Sequence, residues 1–265
     1  VRETLTLPTN PPDVDLDWPT YSGKKRQLPW FLLAALVLAQ NGVKICMQGT
    51  EGHTEGRLYT SEVLNFLGMP LAGSLDDAAE MIRASNFAYL PLRVLSPKLQ
   101  DIIELKSVIG VRSPVNTFAR MINPFSAPYE IHTVFHPNYR DVHLETSQLL
   151  GQDHMAVFKG EGGEAERRPN KPVLVQSLRD GEKVDEEWPP MVEDSQTEKD
   201  ETLDLDRFKA VWDGEIEDVY ATNAVVGTIA IALRLMQRAD SIEDAQAGAE
   251  KMWRDRGRQL PGLAA

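Results

Sequence analysis

Trp30-Phe31-Leu32-Leu33-Ala34-Ala35-Leu36-Val37-Leu38-Ala39-Gln40-Asn41-Gly42-Val43-Lys44-Ile45-Cys46-Met47-Gln48-Gly49 is the stretch whose reading decides the fold. The run Trp30–Ala39 is apolar throughout, and Asn41-Gly42 ends it. That combination predicts a buried helix stopped by a residue able to adopt the left-handed conformation. Val43–Met47 follows as a short strand, and Gln48–Tyr59 as a polar, glycine-containing loop. A buried helix leading straight into an apolar strand is half of a β-α-β unit.

Downstream the same alternation continues. Ser61–Leu67 reads as a short helix closed by Gly68. Ser74 caps another, with Asp76 and Asp77 in the first turn, where the helix dipole favours carboxylates. Phe87–Leu90 is a strand. Ser96-Pro97 opens a helix that runs to about Val108 and ends at Gly110. Ile131–Phe135 is a strand, Tyr139–Leu150 a helix stopped by Gly151, and His154–Phe158 a strand entering the glycine-rich loop Lys159–Asn170. Pro172–Leu178 is a further strand. Ala221–Arg238 is a helix with apolar residues on nearly every face, hence central, and Ser241 caps a last helix to about Arg256. Val1–Thr20, with four prolines and an acidic stretch, is expected to be an extended lead-in packed on the surface. No internal repeat is visible. The expected fold class is α/β: a mostly parallel sheet flanked by helices. In such sheets ligands gather at the carboxyl ends of strands, which singles out the loops after Met47 and Phe158.

The bulk numbers narrow the function classes. The 265 residues suffice for a substantial core, and 42% apolar with 26% charged residues is ordinary for a globular chain. With no Met at position 1, the chain is expected to be a piece of a longer protein. One cysteine, Cys46, excludes an internal disulfide framework and a multi-cysteine zinc site, and fits a reducing cytoplasm. Inside an apolar strand it is expected to be a small buried hydrophobe. Val1–Pro12 has no signal-peptide pattern. Trp30–Ala39 is about half the ~20 residues needed to span a bilayer, so no membrane partner is expected. The net charge of −12 is unevenly spread. Asp180–Asp206 holds twelve acids against two lysines, a local balance of −10, and leaves 28 acids and 26 bases elsewhere, or −2. The body is nearly neutral, so local basic patches remain open to it. The acidic segment is expected to be a partly mobile excursion that competes with nucleic acid for basic groups.

Three stretches together resemble the anthranilate phosphoribosyltransferase family. Asn41–Gly49 with Glu62–Gly68 is similar to that family's strand, H-G-N loop and following helix. Ser96–Pro124, with Gly110-Val111-Arg112-Ser113 and Ile122-Asn123-Pro124, resembles its helical segment ending in T-N-P. Ala156–Glu164 is similar to its strand and acidic loop. The likeness covers roughly Pro12–Gln259. It implies the family's α/β fold with a small helical subdomain, to which residues 96–121 contribute and whose N-terminal helices lie outside this chain.

The departures from the family pattern bear on activity. A glycine-rich turn that binds the diphosphate of phosphoribosyl pyrophosphate works because backbone N–H groups can approach an anion where no Cβ intrudes. Here that stretch is Tyr21-Ser22-Gly23-Lys24-Lys25-Arg26-Gln27-Leu28-Pro29, with one glycine and three consecutive cations. The family's N-x-S-T falls on apolar Pro29-Trp30-Phe31-Leu32. Its histidine and asparagine around the loop glycine fall on Gln48 and Thr50, and its acceptor-binding arginine on Gln100. Of its magnesium-binding Asp-Glu pair, one position is Glu164 and the other Ala165, with Glu166 just beyond.

Lys24-Lys25-Arg26, Phe135–Asp141 and Lys159–Lys171 resemble instead a paralogous group of the same family. That resemblance implies a homodimer and nucleic-acid binding in place of tryptophan synthesis. Two functions are therefore expected to compete. One is binding of DNA or RNA backbones by a rim of Lys24, Lys25, Arg26, Lys159, Arg167, Arg168 and Lys171. The other is a Mg-dependent glycosyl or phosphoribosyl transfer to an acceptor other than anthranilate, with Glu164 and Glu166 holding the metal. Gly23, Gln48, Gly49, Thr50, Arg112 and Asn123 are its substrate-pocket candidates. No catalytic nucleophile is assigned, because Ser22, Ser113 and Ser126 have no neighbouring base in a recognisable elbow motif. His132, His136 and His143 read as structural histidines, since no shared helical face joins them.

Overall fold

The computed structural model describes residues 5–52, 54–110, 113–193, 200 and 202–263. Along the chain run β1 (Leu16–Thr20), α1 (Trp30–Gln40), β2 (Ile45–Gly49), α2 (Thr60–Phe66), α3 (Leu75–Ser85) and β3 (Phe87–Pro91). Four short helices follow, α4 (Leu92–Leu95), α5 (Pro97–Glu104), α6 (Lys106–Ile109) and α7 (Val115–Phe118). Then come β4 (Tyr129–Val134), α8 (Arg140–Leu149), β5 (His154–Lys159), β6 (Val173–Arg179), β7 (Glu182–Trp188), α9 (Leu205–Asp213), α10 (Val219–Leu235) and α11 (Ile242–Arg254).

The strands form one sheet in the order β3-β2-β1-β4-β5-β6-β7. β3, β2, β1, β4 and β5 are mutually parallel, and β6 and β7 add on antiparallel. The hydrophobic core joins β1, β2, β4 and β5 to α1, α10 and α11. All of α1 from Trp30 to Ala39 is buried, as its apolar run requires, and α10 is buried on almost every face. The chain turns after α1 with Gly42 at φ +81°, and Ser74 caps α3 by accepting from the Asp77 N–H. Cys46 is buried within β2. No helix among the described residues is long and apolar enough to cross a membrane.

Two expectations fail here. Residues 16–20 are not a surface lead-in: they are β1, fully buried at the middle of the sheet. Asp17 and Pro19 disguise it, since both are poor strand residues. Pairing to β4 covers only Leu16 and Asp17, so the sheet has already parted on that side where Pro19 sits. The carboxylate of Asp17 is reached by the Gln48 amide at 3.5 Å. The acidic segment is likewise no simple excursion. Residues 182–188 are β7, and Glu186 bonds Arg179 at 2.5 Å and Arg234 at 2.9 Å. Asp200 accepts from the Leu28 N–H at 2.8 Å and pairs with Arg207 at 2.6 Å. Removing 180–206 would therefore strip an edge strand, and not merely a charge.

The histidines meet across elements that sequence separates. His132 on β4 and His143 on α8 bring their Nδ1 atoms to 3.3 Å, and His132 Nε2 lies 3.4 Å from Glu130. His136 is exposed in the loop between them. Burial, aided by Arg120, lowers the His143 pKa to about 4.

Two predictions follow from this packing. A Cβ at Gly49 would lie 2.0 Å from the Thr20 carbonyl oxygen, whereas one at Gly248 on α11 meets only Leu233 Cδ1 at 3.4 Å. Gly49→Ala should cost at least about 1–3 kcal/mol, lowering Tm by several degrees, while Gly248→Ala is neutral or slightly stabilising. Equal melting temperatures for the two variants would contradict the close β1–β2 approach. For His143, the folded pKa lies below the unfolded value near 6.5, so its contribution is present above that pH and lost as pH falls toward 4. His143→Gln should flatten the loss of stability between pH 6.5 and 4 by on the order of 1 kcal/mol per pH unit. Parallel stability curves for wild type and variant would show that His143 charges freely.

Candidate functional site

The strand order reverses direction between β1 and β4, and the two part beyond Asp17. Open α/β sheets bind ligands in the crevice outside the carboxyl ends at such a switch point. Three loops converge there: Tyr21–Pro29 after β1, Phe135–Tyr139 after β4 and Gly160–Asn170 after β5. Between them lies a cavity of about 350 Å³ lined by Lys24, Lys25, Arg26, Gln27, Arg57, Phe135, Lys159, Gly160, Glu161, Gly162 and Arg168. A second cavity of about 330 Å³ shares Lys159 and Arg168 and adds Arg140 and Lys171.

Beneath this cationic mouth, the β1 loop is filled by two carboxylates from the β5 loop. The Ser22 and Gly23 N–H groups converge on Glu164 Oε1 at 2.6 and 2.7 Å. Gly23 sits at φ +65°, the conformation that lets both donors face one way, and a Cβ there would press on the Tyr59 ring at 3.1 Å. Arg120 supports the same turn, reaching Ser22 Oγ at 2.8 Å and the Gly163 carbonyl at 3.3 Å, with its guanidinium over the Tyr21 ring. Burial pushes the Glu164 carboxyl above its usual range, opposed by Arg120 and then by the two backbone donors. Its Oε2 is buried without a hydrogen-bond partner among the described residues.

Glu166 plugs the neighbouring position. Its Oε1 accepts from Lys24 Nζ at 2.6 Å and its Oε2 from the Phe31 N–H at 2.9 Å. The second contact places negative charge at the first turn of α1, which has no side-chain cap of its own. Burial raises its pKa to about 7, against the pull of the Lys24 ammonium.

Several expected site residues are therefore elsewhere. Lys24 is not part of an exposed rim: it is buried against Glu166. Arg167 points inward, its guanidinium 5.1 Å from the Trp188 ring centre and bonded to the Pro189 carbonyl. Gly227 on α10 leaves room for it, since a Cβ there would lie 2.5 Å from Arg167 Cδ. Gln48 is buried and accepts from the Tyr21 hydroxyl; Thr50 Oγ1 donates to Gln100 Oε1 at 2.9 Å. Asn123 closes its own loop, bonding the Ala127 backbone and Glu130. Gly49 packs on β1, and Arg112 lies outside the described residues. Of the substrate-pocket candidates among the described residues, Gly23 alone is brought to the cradle.

The cations brought together at the surface are Lys25, Arg26, Lys159, Arg168 and Lys171, with Arg168 bonded to Glu161 at 3.0 Å. Lys25, Arg26 and Lys159 are exposed and make no ion pair among the described residues. Sequence reading missed Arg57, Arg120 and Arg140. Arg57 ties the Ser22 and Gly23 carbonyls at 2.9 Å each, and only its place in the polar loop after β2 hinted at a role.

Glu164 and Glu166 do not fit a ready magnesium site. Mg²⁺ usually takes one or two carboxylates together with substrate phosphates. Here Glu164 Oε1 faces two N–H donors, Glu166 faces an ammonium and an N–H, and Ala165 between them is buried and apolar. Among the described residues no group of three His, Cys, Asp or Glu side chains is placed to hold a metal ion.

Comparison with known proteins agrees with this architecture. The family model described as "Glycosyl transferase family, a/b domain" matches residues 31–257. Anthranilate phosphoribosyltransferase of Polynucleobacter necessarius is 30% identical over 148 residues, covering 56% of this chain and 43% of the relative. That of Burkholderia multivorans is 25% identical over 237 residues, covering 82% and 68%. The chain thus spans 43% to 68% of the length of these two relatives. Anthranilate phosphoribosyltransferase from Thermus thermophilus superposes with TM-score 0.74 at 22% identity, over 92% of this chain and 75% of that one. The Saccharomyces cerevisiae enzyme, solved in complex with PRPP and Mg, gives 0.74 at 15% identity, over 94% and 71%. With its sheet, its switch-point crevice and a family match over most of its length, the chain belongs to the glycosyl transferase family and is an anthranilate phosphoribosyltransferase-like protein.

Proposed function

We propose that this protein is a non-biosynthetic member of its family that binds the phosphate backbone of nucleic acid at the switch-point cleft. The observation carrying this reading is the division of charge in the site. The anion cradle is filled from within by Glu164 and Glu166, while Lys25, Arg26 and Lys159 stand exposed at its mouth without acidic partners among the described residues. Arg168, Lys171 and Arg140 extend the basic surface along the second cavity. The working rim is thus Lys25, Arg26, Arg140, Lys159, Arg168 and Lys171, with Lys24 and Arg167 removed to structural roles. In this reading the protein is a cytoplasmic homodimer that presents one such cleft per subunit.

The second reading, a Mg-dependent phosphoribosyl transferase, draws support from the yeast relative's complex and from the unsatisfied Glu164 Oε2. It requires Glu166, both of whose oxygens are engaged, to leave the Lys24 ammonium and the Phe31 N–H, and for that reason ranks second.

Backbone binding releases condensed counterions, so affinity falls steeply with salt. Fluorescence anisotropy with a labelled oligonucleotide should give a log K against log salt slope of several units. Lys159→Gln or Lys25→Gln should lower that slope by roughly 0.7–0.9 each. A salt-independent affinity, or no binding at low salt, removes the proposal.

A further inference from the structure

Backbone cations alone would serve any nucleic acid, but the cleft has a second feature. Phe135 and Tyr139, in the loop after β4, are 59% and 51% exposed. Large aromatic side chains half in water bury little apolar surface and add little to folding. The loop holding them is nonetheless ordered by its own bonds. The Tyr139 N–H donates to the His136 carbonyl at 3.1 Å, and the His136 ring braces Phe135 edge to face at 4.9 Å.

Phe135 stands where two cavities join. One is the basic cavity with Lys25, Arg26 and Lys159. The other, about 250 Å³, is lined by Asn116, Thr117, Tyr139 and His143 among others. An aromatic face beside a cationic wall matches two parts of a nucleotide, the base and its phosphate.

We infer that Phe135 is a stacking platform for an unpaired nucleobase, which makes single-stranded nucleic acid the preferred partner of this cleft. The inference rests on the backbone-binding reading above and deepens it. In a duplex both faces of each base are covered by neighbours, so only the edges and the backbone are presented. An exposed ring can gain a stacking contact only from a base that is free to leave the stack.

The test compares wild type, Phe135→Ala and Phe135→Tyr by anisotropy on three probes: a 12-nucleotide single strand, the same strand with abasic sites, and the blunt duplex. Phe135 lies outside the core, so its removal leaves folding intact, and circular dichroism checks this. Phe135→Ala should weaken single-strand binding by roughly 5- to 100-fold, leave the abasic strand and the duplex within about two-fold, and be rescued by Phe135→Tyr. Equal loss on all three probes, no loss on any, or an abasic strand bound as tightly as the intact one would overturn the stacking role. Failure of wild type to bind all three would instead sink the backbone reading, and this inference with it.

Discussion

The site depends on one contact: the Glu164 carboxylate resting on the Ser22 and Gly23 N–H groups. A turn with two converging backbone donors is an anion site by construction. Here the anion is covalently part of the protein. It arrives at an effective concentration set by the short β5 loop, with its conformational cost already met in folding. Any external diphosphate must displace a partner that never diffuses away. The same loop repeats the device with Glu166, which takes the Lys24 ammonium and the Phe31 N–H at the head of α1. What looks like a damaged cradle is a satisfied one.

That contact also orders the surroundings. It welds the loop after β1 to the loop after β5 across the gap where β1 and β4 separate. Arg120 beneath and Arg57 beside it hold the turn's remaining polar atoms. Lys25, Arg26 and Lys159, which make no ion pair among the described residues, stand at the outer lip. In the proposed reading that lip, with the floor neutralised beneath it, is where an extended polyanion lies.

Much of the fold was legible in the sequence. The apolar run of α1, the stop at Asn41-Gly42 and the all-round apolarity of α10 state their burial directly. β1 was hidden because Asp17 and Pro19 break the strand pattern, and both are tolerated only through tertiary context. β7 was hidden by its acidity, which suits an exposed edge strand that must not pair with other chains. The site was less legible. The consecutive cations 24–26 look equivalent in sequence, yet Lys24 is buried and its two neighbours are exposed. Arg167 and Arg168 part in the same way, one against Trp188 and the other at the cleft. Neighbouring residues on an irregular loop face opposite directions, and no periodicity announces which way each one turns.

The central claim is that Glu164 holds the place a diphosphate would need. It is tested most directly by titrating phosphoribosyl pyrophosphate with Mg²⁺ into wild type and Glu164→Ala by calorimetry. Wild type should give no heat at millimolar ligand, and measurable binding should appear once the carboxylate is gone and two backbone donors are released. Tight, magnesium-dependent binding to wild type that Glu164→Ala abolishes would contradict it, and would make Glu164 a ligand for the metal instead of a substitute for the phosphate.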